Sequence, residues 1–486
     1  MDDGAARDSG RTATDPGVAL PKQAGSGVGM AEPKAPEIDL HGALTALDQA
    51  RDALAAGDAD GAIRTLRSVP EGLPLGDEGS LTDIAGIVEG AARLTGFTAL
   101  LASAAAVRAT PHDPQVLYEY GYRCVEHGAA WVAIPALALA VARAPESTAA
   151  RMELVSALEA ESRYAEAVTV LAHGPTQQLW LGRYLLAFNS LMAGDVEGAR
   201  QWYTRVGRPE QEQHVALAAR LDTMLARMQT VTGATRLDGG LPAPDPRGVL
   251  SEHDLRGWHF VLNGGVLTTL SPYGFTEGMN GRYAFLNETL GGCRRGLERV
   301  STVLGVAGRR PAAVALLPDR SSRILGLAAA ELLGLPAVEW SPGASDALVP
   351  AFTLSGADPD LLAGLRTATD QVLVEHATCW TEPPPLAADI TTLLHQVVTA
   401  PWEAHRRPLP GGGGWSDEPA DDRPEAEIAQ ALIRAVAEAP EGDGQTPADH
   451  EGALSDFVTL VAPRWGTGTA RDRVWSPGPV PSSRFW

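Results

Sequence analysis

Between residues 39 and 235, apolar positions recur with a period near 3.6, in runs of roughly 12 to 16 residues that end at Gly or Pro. A longer period lies over this one. Ala99, Ala133 and Ala167 are 34 residues apart, and Ala199 follows after 32. A fixed spacing in the mid-thirties predicts helix-turn-helix units stacked in an array, since a single hairpin cannot bury its apolar face alone. Other positions keep the register. Ala106 and Ala140 fall seven residues after their alanines, and Gly57, Gly128 and Gly194 fall five before Ala62, Ala133 and Ala199. A larger residue follows four positions later, at Leu66, Leu137, Leu171 and Tyr203. The unit from Asp113 to Pro145 reads helix, Gly turn, helix, Pro stop. Five hairpins are expected, the second (roughly 80–112) being degenerate.

A Gly/Pro/Asp stretch at 238–248 then marks a boundary, and the pattern changes to strands mixed with helices. Residues 258–270, WHFVLNGGVLTTL, read as two strands turning at Asn263-Gly264-Gly265, because Asn-Gly is a strong hairpin signal. Residues 286–306 form an amphipathic helix. Residues 312–317 and 337–340 read as buried parallel strands on either side of a helix at 323–333, and 371–375 as a third strand. The chain thus divides into a disordered tail (1–38), a helical repeat array (39–235), a small α/β domain with a partly parallel sheet (250–400), a Gly/acidic linker (401–424), and a helix at 425–438 followed by an aromatic C-terminal tail reaching 486.

The array resembles the tetratricopeptide repeat family, with small residues where the two helices of a hairpin press together. The resemblance implies a concave surface lined by the first helix of each hairpin. Aligned on Ala133, that surface carries Gln115, Tyr118, Tyr122, Val125 and Glu126, then Ala149, Met152, Ser156, Glu159 and Ala160, then Leu181, Tyr184, Phe188, Leu191 and Met192. Tyr118, Tyr122, Met152, Tyr184 and Phe188 are the expected partner contacts, since Tyr and Met bring large contact area at low entropic cost. The competing reading makes these residues core, covered by a following helix or by the α/β domain.

Composition narrows the partners. With 486 residues, 44% of them hydrophobic, the chain can bury two or three cores. A net charge of −21 argues against a nucleic-acid or anionic-membrane surface. Cys124, Cys293 and Cys379 form neither a disulfide framework nor a metal-binding pair, which suits a reducing cytoplasm. The first residues lack the apolar run of a signal peptide, and no 18-residue apolar stretch predicts a membrane span.

Chemistry has few footholds. The loop at 318–322 follows a strand and opens a helix, so Asp319, Ser321 and Ser322 are placed to meet an anion. With the following helix, PDRSSRILGLAAAELLGLP, this loop resembles type I phosphoribosyltransferases over about 20 residues, which implies an enzyme acting on a nucleotide or phosphosugar. The later strand, QVLVEHATCWTEPPP, offers only Glu375 where that family has two acidic residues and a Gly-rich phosphate loop. In the plainer reading Ser321 or Ser322 is an ordinary helix N-cap. Arg282, in the Gly- and aromatic-rich loop 271–283, is a further anion contact. His376 and Cys379, at i and i+3 of an extended segment, point to opposite faces and make a poor base–nucleophile pair. No zinc pattern, P-loop or triad signature occurs, so no metal or cofactor is expected. The leading expectation is a scaffold or adaptor for a protein partner, with the enzyme as alternative.

Five of the eleven tryptophans (Trp402, Trp415, Trp465, Trp475, Trp486) lie in the last fifth of the chain. So much aromatic surface is expected to bury itself. Trp465, Trp475 and Phe485-Trp486 are expected to dock on the body, first at the groove formed by Tyr118, Tyr122, Tyr184 and Phe188, second on the α/β domain, holding a partner out until displaced.

Overall fold

Left-handed turn residues break the first half of the chain into helix pairs. Gly57, Gly96, Gly128 and Gly194 have φ of 82°, 79°, 73° and 80°, and Ser162 takes φ 59° at the equivalent place. A Cβ is disfavoured in that conformation, which explains glycine at four of the five turns. The computed structural model describes residues 40–68, 78–209, 211–232, 250–408, 414–437, 439–466 and 471–482. The expected disordered tail, the 238–248 boundary and Phe485-Trp486 lie outside these residues.

The pairs are α1 (Leu40–Ala55) with α2 (Ala59–Thr65), α3 (Glu78–Thr95) with α4 (Thr98–Ala109), α5 (Pro114–Glu126) with α6 (Ala130–Arg143), α7 (Thr148–Ala160) with α8 (Tyr164–Ala172), and α9 (Trp180–Met192) with α10 (Val196–Val206). Five residues after each turn stand Ala62, Leu101, Ala133, Ala167 and Ala199, and the four alanines are completely buried. This corrects the sequence register at one unit. Ala99 is exposed and lies two residues early, because 32 residues, not 34, separate Leu101 from Ala133. Within the third pair the helices touch so closely that a Cβ on Gly121 would sit 2.4 Å from Leu137 Cγ.

One apolar core runs through the first four pairs, with Leu47, Ile84, Leu117, Leu137 and Leu154 at its centre. The fifth pair adds Leu186 to that core but contributes mainly to a second one, which continues through α11 (Val215–Thr232) into the rest of the chain, joining Met192, Met224, Trp258, Val300 and Ile324.

The second half carries a seven-stranded, all-parallel sheet: β1 (Val266–Leu267), β2 (Tyr283–Asn287), β3 (Ala313–Leu316), β4 (Ala337–Glu339), β5 (Ala347–Ala351), β6 (Val372–Cys379) and β7 (Ile390–Thr399). The order is β1-β7-β6-β5-β3-β4, with β2 also on β7 through Tyr283↔His395 to Asn287↔Thr399. β6, VLVEHATC, is buried at every residue, as an inner parallel strand covered on both faces should be. α12 (Leu255–Asn263), α13 (Leu290–Val306) and α14 (Arg320–Leu333) pack on the strands, α15 (Pro359–Thr367) precedes β6, and α16 (Glu425–Arg434) and α17 (Glu451–Val461) pack on α13 and its neighbours.

Of the strand pair expected at 258–270 only the second strand is present, as β1 at Val266–Leu267, and the first is a helix. Asp254 caps α12 by accepting from Gly257 N, Trp258, Val261 and Leu262 face the core, and Gly264 (φ 78°) ends the helix with its N–H on Phe260 O. Asn-Gly here stops a helix rather than turning a hairpin. The helix expected from 286 starts at Leu290, capped by Thr289, because Leu286 and Asn287 pair with β7. The third strand extends past 375 to Cys379, and β5, β7, α15 and α17 were not foreseen. Part of the expected linker is an antiparallel pair, β8 (His405–Pro408) with β9 (Trp415–Glu418).

Candidate functional site

The expected groove divides in two. Its first part lies on α5, where Tyr118 and Tyr122 stand 6.3 Å apart between ring centroids. Ala99, Ala102 and Ala106 of α4 keep the opposite side low, leaving a depression of about 530 Å³ that Arg123 also borders. Tyr122 is exposed, and the Arg123 guanidinium lies 5.3 Å from its ring while pairing with Glu126 at 2.6 Å. Met152 is half-buried. The second part is core. Tyr184 is 3% exposed and Met192 fully buried. Trp180 stacks on Tyr184 at 5.5 Å and on His214 at 4.7 Å, and Phe188 stacks on Tyr184 at 5.9 Å, so α11 and its entry close this face. Tyr184 and Phe188 therefore do not share an open surface with Tyr122.

The loop after β3 is occupied by the chain itself. Asp319 caps α14 through Ser322 N, and the Ser322 hydroxyl accepts from Phe352 N at 3.0 Å. Ser321 accepts from Trp402 Nε1 at 2.9 Å, and Arg320 donates to the carbonyls of Asp421 and Arg423. The groups expected to meet a phosphate thus have internal partners. Arg282 is not among them: it precedes β2 at the far edge of the sheet, with β5, β6 and β7 between.

Arg282 borders a different cavity, of about 260 Å³, where the end of β6 meets α12, the α7–α8 turn and the C-terminal segment. In open parallel sheets this carboxyl end is where ligands enter. Arg282 donates to Pro481 O (3.0 Å) and Val480 O (3.3 Å) and lies 5.6 Å from the Trp380 ring; burial pulls its pKa down to about 10. Arg473 donates through Nε to Pro384 O at 2.8 Å. Below it, the buried Glu375 carboxylate accepts from Leu354 N and from the Thr378 hydroxyl; burial raises its pKa against the pull of Arg473. Sequence reading missed Arg473, His259 and Glu375 as one group, although two arginines in a Pro-rich apolar tail were a signal.

His259 lines the same cavity. Burial, with the charges of Arg473 and Arg282, pushes it from 6.5 down to about 3. The unfolded chain therefore binds a proton near pH 6.5 that the folded chain refuses, and stability must fall as the pH drops below that value. Between pH 7.5 and 5 this histidine is expected to cost roughly 2 kcal/mol. Urea midpoints measured across that range should fall, and His259→Gln should flatten the dependence.

The C-terminal segment packs at the junction of array and sheet. Ser476 Oγ donates to Tyr164 OH at 2.8 Å, and Pro479 lies against Gly194. Trp465 is buried, donating from Nε1 to Asp389 O at 2.8 Å. Trp475 is 67% exposed, which corrects its expected burial: arginines, not that tryptophan, anchor the segment.

His376 and Cys379 do not meet. His376 Nε2 lies 2.9 Å from Glu288 Oε2 and 3.8 Å from Cys293 Sγ. Burial and the Glu288 charge push the Cys293 thiol well up, so it is no thiolate nucleophile. No helix among the described residues is long and apolar enough to cross a membrane.

No protein-family model matches this chain, and no curated protein or solved structure matches it either.

Proposed function

We propose that this chain is an adaptor that holds an extended segment of a protein partner in the depression between α4 and α5, with the α/β half as its mount. One observation carries this reading: among the described residues, Tyr118 and Tyr122 stand over a small-residue ledge that lines an open depression. Adjustable aromatic walls beside a low floor suit a side chain of an incoming peptide, and the Arg123–Glu126 pair supplies polar contacts at the margin. The helix pairs, with buried alanines five residues after left-handed turns, support a tetratricopeptide-like array, an architecture used for such binding. Ser321 and Ser322 are bonded within the chain, which favours the adaptor reading over an enzyme built on that loop.

The test is selection of peptides from a displayed random library on the full chain, followed by direct affinity measurement. Tyr122→Ala should weaken selected peptides about tenfold or more, as loss of a central aromatic contact does. Trp475→Ala, at an exposed side chain of the C-terminal segment, should leave them unchanged. Failure to select any peptide, or affinity indifferent to Tyr122, would overturn the reading.

A further inference from the structure

Glu288, Cys293 and His376 reach one point from three elements. Glu288 follows β2, Cys293 sits in the opening turns of α13, and His376 lies within β6; all three are buried. Their nearest donor atoms lie within 4.8 Å of one another. A single imidazole nitrogen faces both the carboxylate, at 2.9 Å, and the sulfur, at 3.8 Å. A ring nitrogen carries at most one proton, so it cannot serve two acceptors well.

The helix is bare around this point. A Cβ on Gly296 would come within 2.8 Å of the imidazole, and one on Gly292 would overlap Glu288 Oε1. Glycine at these places lets the helix approach the imidazole and the carboxylate. The other carboxylate oxygen, Oε1, is held by Thr289 N at 2.7 Å, which leaves Oε2 turned to the imidazole. Among the described residues no guanidinium or ammonium forms an ion pair with Glu288; its partner is His376.

We propose that Glu288, Cys293 and His376 bind one divalent transition-metal ion of the zinc type. The nitrogen, oxygen and sulfur donor set suits that class, whereas calcium and magnesium take oxygen ligands. Bond lengths of about 2.0–2.3 Å in a tetrahedral arrangement put donor atoms roughly 3.5 Å apart. The 3.8 Å between sulfur and nitrogen is close to this, and the carboxylate must open by a few tenths of an ångström. Charge also closes. On loading, the thiol releases its proton to solvent and sulfur bonds the ion, so thiolate, carboxylate, neutral imidazole and a divalent cation sum to zero in a buried site. The ion ties the β2–α13 connection, α13 and β6 together. The ligands lie 5 and 83 residues apart in sequence, a spacing that no short metal motif has.

The experiment refolds the full chain with cobalt(II), removes excess metal by gel filtration, and records absorbance and metal content. The expected result is about one cobalt per folded chain with a sulfur-to-cobalt charge-transfer band, and about one zinc per chain after refolding with zinc. Cys293→Ser should abolish the band and His376→Gln should lower the metal content, while Cys124→Ser and Cys379→Ser keep both. Folded wild-type chain that retains only trace metal overturns the proposal, whatever the variants do. So does a charge-transfer band that survives Cys293→Ser.

Discussion

Asp449→Ala is expected to remove roughly 3–5 kcal/mol of folding stability, the cost of stripping the partner from a buried charge. Asp449 accepts from Arg256 Nη2 at 2.9 and 3.0 Å, from Arg299 Nη1 at 2.6 Å and from Leu270 N at 3.0 Å. Both arginines are 1% exposed. Each has other partners: Arg256 donates to Leu267 O and Thr268 O, and Arg299 reaches Glu451. Those contacts do not remove the repulsion between two buried cations, which Asp449 neutralises. Burial alone would raise the Asp449 pKa, but Arg256, Arg299 and the Leu270 N–H outweigh it and hold the carboxyl below its ordinary value. Its stabilisation is thus complete above the ordinary carboxylate range and is lost as the pH falls through the depressed folded value. Urea unfolding followed by tryptophan fluorescence measures the loss. Asp449→Asn, which keeps acceptor and shape but not charge, should fall between. A loss under about 1 kcal/mol for Asp449→Ala would mean that the arginines find water instead.

Arg471→Ala should be nearly as damaging, at roughly 3 kcal/mol, and its effect should begin locally. Arg471 is 5% exposed and donates to Leu365 O, Ala368 O and Gln371 O while pairing with Asp389 at 2.7 Å. One planar guanidinium therefore closes the end of α15, the start of β6 and the approach to β7. Lysine offers a point charge and three donors and cannot span that set, so Arg471→Lys should recover less than half of the loss. Limited proteolysis should cut the segment beyond 471 sooner in both variants, before any change in overall unfolding. Equal cleavage rates in wild type and Arg471→Ala would show that the segment is held by Val474, Val480 and its other contacts.

These two clusters show how much of the protein was readable along the chain. Turn chemistry was: the glycines that break the first half into hairpins act through their own backbone angles, and the buried alanines follow at a constant offset. The succession of β3, α14 and β4 was legible for a similar reason, since apolar runs and helix periodicity are local. Asn263-Gly264 marks where local signals become ambiguous. The same dipeptide turns a hairpin or ends a helix, and the choice came from the Asp254 cap and from core contacts of Trp258, Val261 and Leu262.

By itself, then, the sequence determined the glycine turns of the first half, the succession of β3, α14 and β4, and that a helical half precedes an α/β half. Tertiary structure decided what each face does. It covered Tyr184 and left Tyr122 open, because α11 returns over the fifth helix pair alone. It filled the Asp319 loop with Trp402, exposed Trp475 and buried Arg471, and brought Glu288 and Cys293 to His376. The physical reason is the range of the forces that choose. Backbone angles and periodicity are set within a few residues, whereas burial, charge pairing and donor convergence depend on neighbours that only the folded chain supplies.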